Sequence, residues 1–160
     1  MRIVHLSDIH LNSNNKEDLK NYYVESLIED LSNFSQEKKI DLILITGDLV
    51  DKGGNSLGAE PYKFFQDNFI TPISAALDVP SNHFLIIPGN HDINKEFIKV
   101  DNEFYLSEKL NCKLANQYVE DLKNEIKDEN KRIEQFKTFE KELHSLTENY
   151  TFSNMHSLYI

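Results

Sequence analysis

Three short stretches of this chain hold side chains that can do chemistry. Asp8 and His10 stand in "LSDIHL", Asp48 and Asp51 in "TGDLVDKG", and Asn90, His91 and Asp92 in "PGNHD". Carboxylate, imidazole and amide oxygen make a hard-to-borderline donor set. Such a set suits Mn²⁺, Fe, Zn²⁺ or Mg²⁺ better than Cu⁺ or an iron–sulfur centre. Two metal ions about 3.5–4 Å apart need a carboxylate between them, and Asp48 is the natural bridge. Asp8 and His10 are two residues apart, so an extended backbone points both side chains the same way. Gly47 and Gly89 precede two of the groups and allow tight turns that leave them exposed.

Each residue also has a plainer reading. An Asp at a strand end often caps a turn or a helix. Asp51 can serve as a cap for the Gly-rich loop, and Asp92 can hold the turn or orient His91. His5, inside an apolar run, reads as a packed histidine.

The elements that must position these groups alternate. Residues 2–6, 42–45 and 83–87 read as short buried strands, two of them without polar alternation. Between the first two, Leu19, Tyr22, Tyr23, Ser26, Leu27, Asp30, Leu31 and Phe34 recur at helical steps along one stripe. Pro61 suits a helix start, with Phe64, Phe65, Asn68 and Phe69 along one side. Pro72 marks a break, with Thr71 capping a shorter helical piece over 72–78. The order strand, helix, strand, helix, strand predicts a layered α/β fold with parallel neighbours and right-handed crossovers. Ligands of such sheets sit beyond the carboxyl ends of the strands. All three polar clusters fall there.

After residue 94 the composition shifts. Val119, Leu122, Ile126, Ile133, Phe136 and Leu143 follow three- and four-residue steps through a highly charged segment, with Glu129 and Glu140 where apolar groups are wanted. The expected structure is an amphipathic helix lying on the domain; an arm or coiled-coil contact with a protein partner or a second copy, through 119–143, is the other reading. The organisation expected is 1–94 as the α/β unit, 95–148 as a helical insertion or arm, and 149–160 as the start of a further strand.

The chain has 160 residues, 39% hydrophobic and 28% charged, with a formal charge of −10. That balance argues against a broad phosphate-backbone surface, so nucleic acid would need other domains to hold it. A single cysteine, Cys112, means no internal disulfide and points to a reducing compartment. No apolar run is long enough to span a membrane. A cytoplasmic protein is the expectation.

Taken together, "LSDIHL", "TGDLVDKG" and "PGNHD" resemble the first three blocks of the calcineurin-like metallophosphoesterase superfamily, over about residues 1–94. The "SDIHL" spelling is closer to the phosphodiesterase and nuclease branches than to the protein phosphatases. The resemblance implies the first half of a metallophosphoesterase-type fold and two divalent ions, Mn favoured. It also implies that Asp8 and His10 bind one ion, Asp48 bridges both and Asn90 binds the other. His91 would contact the phosphate and assist the leaving oxygen as an acid, in hydrolysis of a phosphodiester without a covalent intermediate.

The family completes its site with a lone His block and a Gly-His-x-His block. After His91 this sequence has only His144 and His156, and no Gly-His-x-His. His144 reads as a solvated or packing residue. His156 sits at the edge of a possible new strand but lacks the usual surroundings of the lone His. The expectation is that these residues form part of the site within a longer chain and that the 160 residues alone are inactive. A half-domain completed by a partner is one alternative; an inactive phosphoesterase-like module serving protein interaction or regulation is another.

Overall fold

The computed structural model describes residues 1–97, 113 and 131–144. Its centre is a parallel sheet of β1 (Ile3–Leu6), β2 (Leu42–Thr46) and β3 (Phe84–Ile87), in the order β1-β2-β3. Ile3 pairs with Leu42 and Ile43 with Phe84, so the three strands advance in step. The connections are α1 (residues 16–35) and α2 (residues 61–77). Right-handed crossovers between adjacent parallel strands put both helices on one face of the sheet. Ile43, Ile45, Phe84 and Ile86 are buried beneath them, with Val4 and Leu6 packed alongside. The layered α/β fold read from the alternation is thus present.

The strands are less enclosed than their apolar runs predict. Ile3, His5 and Ile87 are exposed on the face away from the helices, which the described residues leave open. His5 is consequently not a packed histidine. Side chains alternate across a strand, and its position is one step out of phase with Val4 and Leu6. Its Nε2 lies 2.6 Å from Thr46 Oγ1 on the same open face.

Both helices contain a π-helical turn, Leu19–Tyr23 in α1 and Gln66–Ile70 in α2. In the first, the Val24 N–H donates to Leu19 O, one residue further back than in an α-helix. The extra residue rotates everything on its far side. The expected stripe holds at Leu19, Leu27 and Leu31, which pack on the core, but not at Tyr22, Tyr23 and Phe34: those rings are exposed, and Val24 is buried instead.

The second π turn explains Pro72. No break occurs there, because Ile70 and Thr71 keep helical dihedrals and Thr71 N–H donates to Gln66 O. Widening the turn just before the proline accommodates its missing donor and its ring. Thr71 is a helical residue rather than a cap, and α2 ends at Leu77 with Asp78 in the left-handed region. On the face of α2 anticipated from the sequence, Phe65 and Phe69 are buried and stack with centroids 4.9 Å apart.

A third helix, α3 (Lys131–Leu143), lies on this unit. Phe136, Phe139 and Leu143 enter the shared core. Tyr62 stacks on Phe139 at 5.5 Å and meets the edge of Phe136 at 5.7 Å. Over 131–143 the helix folds back onto its own domain, and the apolar seam is used there. Glu140, which broke the apolar pattern, is fully buried with its carboxylate 3.0 Å from the equally buried Lys137 ammonium. Burial pulls the Lys137 ammonium below its usual range, against the opposing pull of Glu140. The 119–130 part of the helical pattern, the 149–160 strand and His156 fall outside the described residues.

Candidate metal centre

The polypeptide beyond each strand turns sharply. Asp8, His10 and Asp48 all adopt left-handed backbone conformations, with φ of 57°, 50° and 55°. Only a few per cent of non-glycine residues do so, with Asp and His among the more tolerant types. Concentration of such strain at one edge is typical of functional sites.

Backbone hydrogen bonds hold the strained turns together. Asp8 N–H donates to Gly47 O at 3.3 Å, His10 N–H to Asp48 O at 2.8 Å and Leu11 N–H to Leu49 O at 3.1 Å. The carbonyl of His10 in turn accepts from the side-chain amides of Asn12 and Asn15. The first two loops are therefore one braced unit that resumes parallel pairing at Leu11 and Val50.

The third loop crosses the second at two glycines. A Cβ on Gly47 would meet Gly89 Cα at 3.0 Å, and a Cβ on Gly89 would run into the Asp48 carboxylate. With hydrogen in both places the loops approach closely enough for His91 N–H to donate to Asp48 Oδ1 at 2.8 Å. Asp92, almost wholly buried, ties the crossing. Its carboxylate accepts from the backbone N–H of Gly89, Leu49 and Val50, and from the Tyr62 hydroxyl at 3.4 Å. Burial pushes this carboxyl up, and the three N–H donors oppose the shift. Asp92 holds the turn, one of the two duties the sequence allowed it.

Two sets of donors result. In the first, His10 Nε2 lies 3.7 Å from Asp8 Oδ1 and 3.8 Å from Asp48 Oδ2. Both separations are too long for a hydrogen bond. They suit ligands that share an ion, since atoms about 2.1 Å from a common metal stand roughly 3–4 Å apart. In the second set, donor atoms of His10, Asp51 and His91 converge within 4.8 Å of one another. The chemistry and spacing of both sets fit a divalent ion.

The second set also has an internal bond. His91 Nδ1 lies 2.7 Å from Asp51 Oδ1, and this contact holds the Asp51 carboxyl below the usual carboxylate range, against its partial desolvation. The ring of His91 meets that of His10 edge-on, centroids 4.5 Å apart. Gly53 N–H donates to His91 O at 2.7 Å, so the Gly-rich loop fixes the histidine backbone as well.

The structure thus joins Asp8, His10 and Asp48, and places His91 beside them. Asn90 is exposed at the bend between Gly89 and His91. Asp51 is the residue that the sequence reading undervalued. It stands at the N-cap position of the Lys52–Leu57 turn, yet its side chain makes no capping bond there and turns to His91 instead. A second Asp three residues after Asp48 was the available signal. His144 is no part of either set: it ends α3 and hydrogen-bonds to the backbone of Asn82, before β3, as a packing residue would.

Comparison with known proteins agrees with this geometry. The chain is 36% identical over 110 residues to a probable glycerophosphodiester phosphodiesterase of Arcobacter nitrofigilis, covering 66% of this chain and 34% of that protein. It is 31% identical over 101 residues to a probable cyclic nucleotide phosphodiesterase of Xenorhabdus bovienii, covering 61% and 36%. An uncharacterized metallophosphoesterase-like protein of Bacillus subtilis is 24% identical over 129 residues, covering 75% and 25%. The chain therefore spans about a third or less of the length of these relatives. The profile of the calcineurin-like phosphoesterases matches residues 1–157, well past the 1–94 that carry the three motifs. With that match over nearly its whole length, the chain belongs to the calcineurin-like phosphoesterase family.

Proposed function

We propose that the protein hydrolyses a phosphodiester at a dinuclear metal site to which this chain contributes Asp8, His10, Asp48 and Asn90. The observation that carries this reading is the convergence of His10 with Asp8 and Asp48 at ion-sharing distances, beyond the ends of parallel strands. Bound divalent ions, with Mn²⁺ favoured, would neutralise phosphoryl charge and make water nucleophilic at neutral pH. Asp48 can serve as the bridge because its two oxygens face different ways: Oδ2 toward His10 and Oδ1 toward the His91 backbone N–H.

His91 acts on the substrate itself. With Nδ1 held by Asp51, Nε2 is left to contact the phosphoryl group and to deliver a proton to the leaving oxygen. The Asp51 carboxylate against Nδ1 fixes the orientation of the ring for that transfer. Two of the relatives are named as phosphodiesterases, which supports the diester over a monoester. The formal charge of −10 favours a small substrate, nucleic acid being reached only through other domains. Among the described residues no helix is long and apolar enough to cross a membrane. The single cysteine supports a reducing, cytoplasmic setting.

The test is hydrolysis of bis-p-nitrophenyl phosphate by the full-length protein with Mn²⁺. Asp48→Ala should abolish metal-dependent turnover, and His91→Ala should lower kcat by about 10²–10⁴-fold. Turnover that survives both substitutions sinks the mechanism.

A further inference from the structure

A cavity of about 380 Å³ opens beside Asp8, between the end of β1 and the two crossover helices. Its walls include Leu19 and Tyr23 from the π turn of α1, Leu27 one turn on, and Phe69 from the π turn of α2. The two π turns touch each other here. π turns often mark functional sites, because the irregular hydrogen bonding they impose persists where it shapes something. Here it turns the Tyr23 ring out of the core and toward the rim of the cavity. A second cavity, about 360 Å³ between α2 and α3, contains none of the clustered metal-donor residues.

The volume is that of a small-molecule site. The charged groups among the lining residues are Asp8 and Asp18, and no Lys, Arg or His lines it. Such a lining disfavours a second phosphate or carboxylate. The apolar walls, with the rings of Tyr23 and Phe69 among them, instead fit a flat or apolar group without negative charge.

We infer that this cavity is the specificity pocket for the retained ester substituent of the phosphodiester, and that it accepts an uncharged aryl or nucleoside-like group. The assignment to the retained substituent rests on the proposed role of His91. The cavity borders Asp8 and excludes the His91–Asp51 pair, where the leaving oxygen would take its proton. The group that stays on phosphorus is the one left to occupy the Asp8 side. Tyr23 then acts in specificity, without touching the reacting atoms.

The experiment compares two diesters with the same leaving group, bis-p-nitrophenyl phosphate and methyl p-nitrophenyl phosphate, using full-length protein and Mn²⁺. Tyr23 is largely exposed, so Tyr23→Ala leaves the core intact. The variant should lose about tenfold more kcat/KM on the bis-aryl ester than on the methyl ester, the scale of a lost apolar pocket contact. The differential should lie mainly in KM. Unchanged discrimination in an active Tyr23→Ala protein overturns the pocket and leaves the phosphodiesterase reading standing. Absence of turnover on both esters by the wild type overturns both.

Discussion

His91 Nδ1 lies 2.7 Å from Asp51 Oδ1, about an ångström closer than His10 Nε2 stands to Asp8 or Asp48. The proton shared by such a hydrogen-bonded pair must leave before both atoms can bind one ion, whereas the looser set can accept an ion as it stands. Under the proposed function, labour is divided between neighbouring acidic groups: Asp48 and Asp8 toward metal, Asp51 toward orienting an imidazole.

Asp51→Asn tests that division directly. An amide can still accept from Nδ1–H but lacks the carboxylate's charge and its second equivalent oxygen. The expected result is a kcat lowered about 10–100-fold, the usual effect of losing an orienting partner, with Mn²⁺ affinity nearly unchanged. A comparable loss of Mn²⁺ affinity by metal titration would instead make Asp51 a ligand.

Gly89→Ala should be more damaging than its single methyl suggests. The new Cβ would sit 2.6 Å from Asp48 N and against its carboxylate, so that side chain must move. Overpacking of this kind destabilises by about 1–3 kcal/mol. Urea denaturation should show that loss, and Mn²⁺ affinity should fall at least about tenfold as ligand geometry degrades. Normal affinity in the variant would mean that Asp48 tolerates displacement.

The pH response of the fold should reveal Tyr62. Burial, then the nearby Asp92 carboxylate, raises its hydroxyl above the ordinary 10.0. Its contribution is fully present below pH 10 and is lost as pH rises further, because the unfolded phenol ionises first. Tyr62→Phe should flatten that alkaline decline while costing about 1 kcal/mol at neutral pH for the lost hydrogen bond to Asp92. Denaturant midpoints measured between pH 7 and 11 decide it. An unchanged alkaline slope would count against the assignment.

Phe136→Ala asks whether α3 belongs to the cooperative unit. Phe136 is fully buried against Tyr62, so truncation should cost about 3–5 kcal/mol. A single unfolding transition shifted by that amount marks α3 as integral to the domain. An unshifted main transition, with early loss of helix signal, would mark it as an independently detaching segment.

What could be read beforehand followed the strength of local signals. The strand order and the three polar strand ends were legible because parallel runs and Gly-Asp or Gly-Asn turns are short-range patterns. The phase of α1 was not, since a π turn at Leu19–Tyr23 leaves no mark in composition yet moves Tyr23 outward and Val24 inward. Pro72 misled for the same reason, its cost being absorbed by the widened turn before it. His5 misled because an apolar run says a strand is buried without saying on which faces. Asp51 needed tertiary contact: only the crossing of the second and third loops brings it to His91. Glu140 broke an apolar seam, and its partner Lys137, three residues earlier, became visible as such only once both were seen buried.

The left-handed backbone at Asp8, His10 and Asp48 has a consequence for how such a chain could change over time. Glycine would relieve each of these positions, by roughly 1 kcal/mol apiece, and would abolish the donor it replaced. A lineage in which the proposed ligands were no longer needed would thus have a downhill route to greater thermal resistance through these three positions. Glycine at these three turns would be the fossil of such a loss; side chains still occupy all of them here.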